Sequence, residues 1–141
     1  GEKGMEVGTI AGFDGEKPWQ DEVEFYEAYK DKVYIKHLYG PLFFGFTSHF
    51  QDEIANIPEE IKALIIRMDR VPYIDQSGLY ALENAVLDLE KRGIQVLLTA
   101  LQEQPKDKLI SIDIVPDLIS EEHLFLDIEA AFDYLKHHFR L

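Results

Sequence analysis

The chain has 141 residues and carries 27 acidic side chains against 14 Lys and Arg, a formal charge of −13. That balance argues against nucleic-acid binding and against lying on an anionic lipid surface, because each phosphate contact would work against the field of the whole molecule. Cysteine is missing, which excludes thiol catalysis, thiolate zinc sites and disulfide staples and leaves a length suited to one domain with its own core.

No apolar run approaches the roughly 20 residues of a membrane span. The opening Gly1-Glu2-Lys3-Gly4 lacks the basic-then-apolar layout of a signal peptide. Residues 1–20 hold five glycines and one proline with little periodicity, so residues 1–31 read as a linker or N-terminal arm that orders only by packing Ile10, Phe13 or Trp19, and residues 32–141 as the domain. Within the arm, residues 21–30 are acidic and aromatic. Phe25, Tyr26 and Tyr29 there suit either one helical turn or an irregular segment.

Residues 33–39 alternate well enough to form a first strand, which Gly40-Pro41 interrupts before the apolar Leu42-Phe43-Phe44. A helix is expected from Thr47 or Ser48: Ser48 and Gln51 have capping-box spacing, Phe46, Phe50, Ile54 and Ile57 fall on one face, and Pro58 ends it. Residues 63–68 are apolar on both faces apart from Arg67, the pattern of a central strand covered on both sides. Pro72 then keeps Val71 extended and leaves Tyr73 to Gln76 as a short loop.

The next helix is expected over residues 77–92, with Leu79, Leu82, Val86 and Leu89 inward and Gly93 closing it. Residues 94–99 follow as another buried strand, so strand, helix and strand make a right-handed crossover and the central strands run parallel. Residues 102–112 read as a weaker amphipathic helix in which Pro105 is acceptable only in the first turn. Residues 118–119 and 124–126 are short apolar pieces, one of them an edge strand. Asp127 caps a last helix whose inward face is Ile128, Ala131, Phe132 and Leu135. The fold class is therefore α/β: a single-domain open sheet with parallel central strands flanked by helices.

The stretch VPYIDQSGLYAL, residues 71–82, is where chemistry or recognition would sit. A strand-to-helix joint exposes free backbone N–H groups and the positive end of a helix dipole, which suit a carboxylate, a hydroxyl or a phosphate. Plain structural roles exist for each residue of the interaction loop Asp75, Gln76, Ser77 and Gly78: Ser77 as a cap or first-turn residue, Asp75 as a carboxylate on free amides, Gly78 as the residue of a tight turn. The sharper reading makes Ser77 a phosphoacceptor or an anion-contacting hydroxyl beside Asp75. No catalytic residue and no metal site is assigned: His37 and His49 are isolated, His137 and His138 point about 100° apart on a helix, and no nucleotide-binding, nucleophile-elbow or zinc motif occurs. A small hydrolase using Asp75 and Ser77 would need a general base that only folding could bring, from His37 or His49. Tyr73, Phe43 and Phe44 are interface candidates, since exposed aromatics on an acidic domain mark a protein contact.

The run IIRMDRVPYIDQSGLYALENAVLDLEKRGIQVLL resembles the centre of a STAS domain, the fold shared by anti-sigma-factor antagonists and the cytoplasmic tails of SulP anion transporters. The resemblance spans about residues 33–139 and is carried by a strand ending in D-x-S-G-L, a helix, then R-G-I and a strand. Upstream, GPLFFG at residues 40–45 is more similar to the transporter tails. The chain departs from the family pattern at LISIDIVPD, residues 109–117, where many members have a glycine after the helix.

This resemblance implies a non-catalytic regulatory and protein-interaction domain of a SulP-type anion transporter, on the cytoplasmic side of the inner membrane, in contact with the transmembrane domain of its own transporter and with a soluble regulatory protein or kinase. The alternative it carries is a free-standing antagonist switched by serine phosphorylation. Ser77 matches the serine that a cognate kinase modifies in antagonists. No cofactor is expected, although some relatives are implied to bind nucleotide near this loop.

Overall fold

The computed structural model describes residues 17–42 and 47–139. Four strands form one parallel sheet in sequence order: β1 (Val33–Tyr39), β2 (Ala63–Arg70), β3 (Gln95–Thr99) and β4 (Leu124–Phe125). The crossovers are α2 (Thr47–Ala55), α3 (Gln76–Lys91) and α4 (Glu103–Ser111). Right-handed crossovers that step in one direction across a sheet leave their helices on the same face. Phe50 and Ile54 of α2, Leu79, Leu82, Val86 and Leu89 of α3 and Leu109 of α4 accordingly share one apolar cluster with Tyr34, Leu38, Leu64, Ile66, Met68, Val96 and Leu98 of the strands.

The opposite face is covered by the two ends of the chain. Helix α1 (Val23–Tyr29) brings Phe25, and α5 (Ile128–His138) brings Ile128, Ala131, Phe132 and Leu135, against Val33, Ile35, Ala63, Ile65 and Leu97. Phe25 and Phe132 stack with ring centroids 3.9 Å apart. Leu64, Ile65 and Ile66 are fully buried, as a strand covered on both faces requires, and each contributes about 1.5–3 kcal/mol of transfer free energy.

Most expected elements are present within a residue or two. The expected β1 is reproduced, β2 runs to Arg70, two residues past the expected end, and α4 carries Pro105 in its first turn. Of the two short apolar pieces, residues 124–125 are the strand. Residues 21–30, which the sequence leaves open between one helical turn and an irregular segment, are largely helical. Residues 20–22 form a short 3-10 turn that leads into α1, and this segment is fixed by contacts with β1, β2 and α5. Its aromatics and acids are remote in sequence from their partners, which is why periodicity alone left them open. Phe43 and Phe44 lie outside the described residues.

Candidate functional site

Asp75 is the cap of α3: its backbone is extended, and its Oδ1 accepts from the Gly78 amide at 2.8 Å. Gln76 and Ser77 are the first two helical residues, Gln76 exposed and Ser77 half-buried. The cap is therefore Asp75, and Ser77 takes a half-buried first-turn position. Gln76 Nε2 donates to Tyr80 Oη at 2.9 Å, one turn along the helix.

The loop before this tip is clamped from both sides. The side-chain amide of Gln104, in the first turn of α4, accepts from the Ile74 amide at 2.9 Å and donates to the Ile74 carbonyl at 3.0 Å. On the other side Leu42 N donates to Tyr73 O at 2.9 Å, and Asp75 N donates to Leu42 O at 3.1 Å. Ile74 is buried, while Tyr73 is 43% exposed. The loop thus presents Tyr73, Asp75, Gln76 and Ser77 on a rigid base.

Gly78 lies on the inner side. It is buried, and a Cβ there would come within 2.7 Å of the Leu42 carbonyl oxygen and 3.1 Å of both Leu42 Cβ and Ile74 Cγ1. Its lack of a side chain serves the packing of α3 on the residue-42 backbone.

On the face that carries Val33, Ile35 and Ile65, His37, Arg67 and Thr99 stand abreast in the C-terminal halves of β1, β2 and β3. Above the first two sits a cluster that sequence reasoning missed. Glu22 is 1% exposed. Its carboxylate contacts His37 Nε2 at 2.8 and 3.0 Å and accepts from Arg67 Nη1 at 2.9 Å and from the Trp19 amide at 3.0 Å. Arg67 Nη1 also donates to Asp21 at 2.7 Å, while Nε and Nη2 hold both oxygens of Asp69 at 3.2 and 2.8 Å. Burial works against the Arg67 charge, and hydrogen bonds to Asp21, Asp69 and Glu22 more than offset it, so its pKa is raised further. Trp19 stacks on His37 at 4.4 Å and receives the guanidiniums of Arg67 and Arg70 over its ring at 4.4 and 4.3 Å.

The signal for this cluster was Arg67 itself, a lone cation in an apolar strand. Its partners Glu22 and Asp21 come from 45 and 46 residues away, a distance no local pattern spans. His37 is a buried structural histidine of this cluster, and His49 is an exposed residue of α2 at 3.8 Å from Glu53. Among the described residues no group of three or more His, Cys, Asp or Glu is arranged to hold a metal ion, and no helix is long and apolar enough to cross a membrane.

The family model of the STAS domain matches residues 28–131. The structure is similar to that of a sulfate transporter family protein from Wolinella succinogenes, with a TM-score of 0.71 and 33% identity over 77% of this chain and 88% of that one. It is similar, too, to the STAS domain of a SulP transporter from Vibrio cholerae, with a TM-score of 0.70 and 26% identity over 85% and 96% of the two chains. In sequence it is 38% identical over 81 residues to sulfate transporter 1.3 of Arabidopsis thaliana, a match that takes in 57% of this chain and 12% of that protein. The chain thus spans only a small part of that curated relative. With four parallel strands, flanking helices on both faces and an Asp-capped helix behind the D-x-S-G turn, the chain belongs to the STAS domain family.

Proposed function

We propose that this chain is the regulatory domain of a SulP-type transporter of sulfate or a related anion, held on the cytoplasmic side of the membrane, and that its work is contact with other protein surfaces and not catalysis. The observation that carries this reading is the clamped tip of α3. Tyr73, Asp75, Gln76 and Ser77 are accessible on a base fixed by Gln104 and Leu42, the kind of preorganised surface that binds with little ordering cost. The sulfate-transporter relatives supply the context. A free-standing antagonist would share the tip but lacks that support.

Regulation would follow from binding one transport conformation better than another, since only a differential contact shifts an equilibrium. A phosphate on Ser77 would add about −1.5 to −2 charge at the positive end of α3, on a surface that is already acidic. That addition favours an Arg-rich partner and disfavours an acidic one.

The test is transport by the full-length protein that carries this domain, with Ser77→Glu and Tyr73→Ala introduced separately. Either substitution is expected to change the sulfate uptake rate at unchanged membrane abundance. Uptake identical to wild type in both variants would remove the loop from regulation. Mass spectrometry after incubation with ATP and cell extract tests the switch itself: phosphate on Ser77 is expected, and its absence while a known antagonist is modified in the same extract would count against it.

A further inference from the structure

We infer that residues 19–29 form a detachable strap whose seating on β1 and β2 sets the conformation of the residue 71–77 loop; the importance of that loop rests on the reading above. The strap has two anchors of different kinds. One is apolar, Phe25 on Phe132. The other is the ion cluster of Glu22 and Asp21 with Arg67 and His37.

Such a cluster makes seating close to all-or-none. Glu22 and Arg67 are almost fully buried, and a buried charge whose partner moves away keeps its desolvation penalty while losing the attraction that offset it. A strap lifted part of the way would leave Glu22 in that condition and Arg67 with only Asp69 of its three carboxylates. Seated and fully released states are favoured over anything between, which is what a switch requires.

The link to the loop runs through the last residues of β2. Arg67, held by the strap, grips the carboxylate of Asp69 with two nitrogens, and the Asp69 carbonyl accepts from Gln102 Nε2 at 3.0 Å. Arg70 lies over the strap's Trp19 while its carbonyl accepts from Gly40 N at 2.8 Å. Val71 is the next residue. Gln102 and Gln104, two positions apart at the start of α4, therefore brace the exit of β2 and Ile74 respectively. Releasing the strap takes Asp21 and Glu22 from Arg67 and Trp19 from Arg70, and so loosens the β2 exit on which the first of those braces acts.

Amide hydrogen exchange followed by mass spectrometry reads both ends at once. Glu22→Leu, which removes the strap's buried carboxylate and leaves Arg67 paired with Asp69, is expected to speed exchange at least about tenfold in residues 19–29 and in residues 70–79, with β3 at wild-type rates. Faster exchange in 19–29 with 70–79 unchanged would overturn the coupling, and unchanged exchange in both would overturn the strap. Should Glu22→Leu lose protection throughout, β3 included, the decision passes to Trp19→Leu, which leaves every ion pair in place and removes the ring that His37, Arg67 and Arg70 share. The same pattern at smaller amplitude is expected there, and protection unchanged at both segments overturns the inference. No partner takes part, so failure here leaves the contact role of the loop standing, and failure of the uptake test leaves the strap standing.

Discussion

Two residues show how position decides what a side chain is worth. Gly78 sits in the first turn of α3, where alanine would gain up to about 1 kcal/mol of helix propensity. The added Cβ would meet backbone at 2.7 Å, and crowding of that kind costs about 1–3 kcal/mol. Crowding wins, because the Leu42 carbonyl is itself fixed by its bond from Asp75 N. Gly78→Ala is expected to lower stability by about 1–2 kcal/mol, read from the urea midpoint at unchanged slope. Equal or higher stability would mean that Leu42 shifts freely.

The second residue is His123, whose Nε2 accepts from Gln95 Nε2 at 3.0 Å. Burial lowers its pKa; Glu122 opposes that shift and His138 adds to it. A histidine depressed in the folded state takes up its proton later than the unfolded chain does as pH falls. Stability is therefore retained above the ordinary histidine value of about 6.5 and lost progressively below it, down to the depressed folded value. His123→Gln removes this contribution, so the fall in unfolding free energy between pH 7 and pH 5 is expected to be shallower in the variant. Parallel curves would show that His123 titrates alike in both states.

At the scale of elements, Asp127 as a cap and Asp75 as a carboxylate on free amides were legible, the start of α3 was read one residue late, and the ties between elements were not legible. Asp75 and Asp127 stand before periodic apolar runs, and both accept from an amide three residues on, at 2.8 and 2.9 Å. Periodicity also placed β1, β2 and α3, because a residue's face follows from its neighbours' spacing. The clamp by Gln104, the close approach of Leu42 and the Glu22 cluster join residues 15 to 46 apart, and nothing in a local window encodes a pairing of that reach. That Tyr73, Asp75, Gln76 and Ser77 stand at a strand-to-helix joint could be read from the chain; the contacts that hold the joint could not. Asp75→Ala should cost about 1 kcal/mol in the urea midpoint, since it frees one capped amide. Asp75→Asn should cost less, as the amide oxygen still accepts and only the charge–dipole interaction is lost. An equal loss in the two variants would assign the stabilisation to charge alone.

At the scale of the whole molecule, a sheet buried on both faces supplies the cohesion and the surface charge opposes it. One cluster under α2, α3 and α4 and another under α1 and α5 close both sides of β2, so the apolar terms hardly depend on ionic strength. The formal charge of −13 acts the other way: like charges spread over one compact surface repel, and unfolding moves them apart. Salt screens that repulsion as the Debye length falls from about 30 Å at 0.01 M to about 8 Å at 0.15 M. The attractive Arg67 cluster is buried and is screened less than the exposed acids. Screening should therefore stabilise on balance. Raising sodium chloride over that range is expected to raise Tm by about 3 °C or more, the shift that 1 kcal/mol produces in a domain of this size. A falling Tm would mean that exposed ion pairs such as Arg92 with Asp88 and Lys30 with Glu27 outweigh the net repulsion, and that the acidity of the surface is compensated pair by pair.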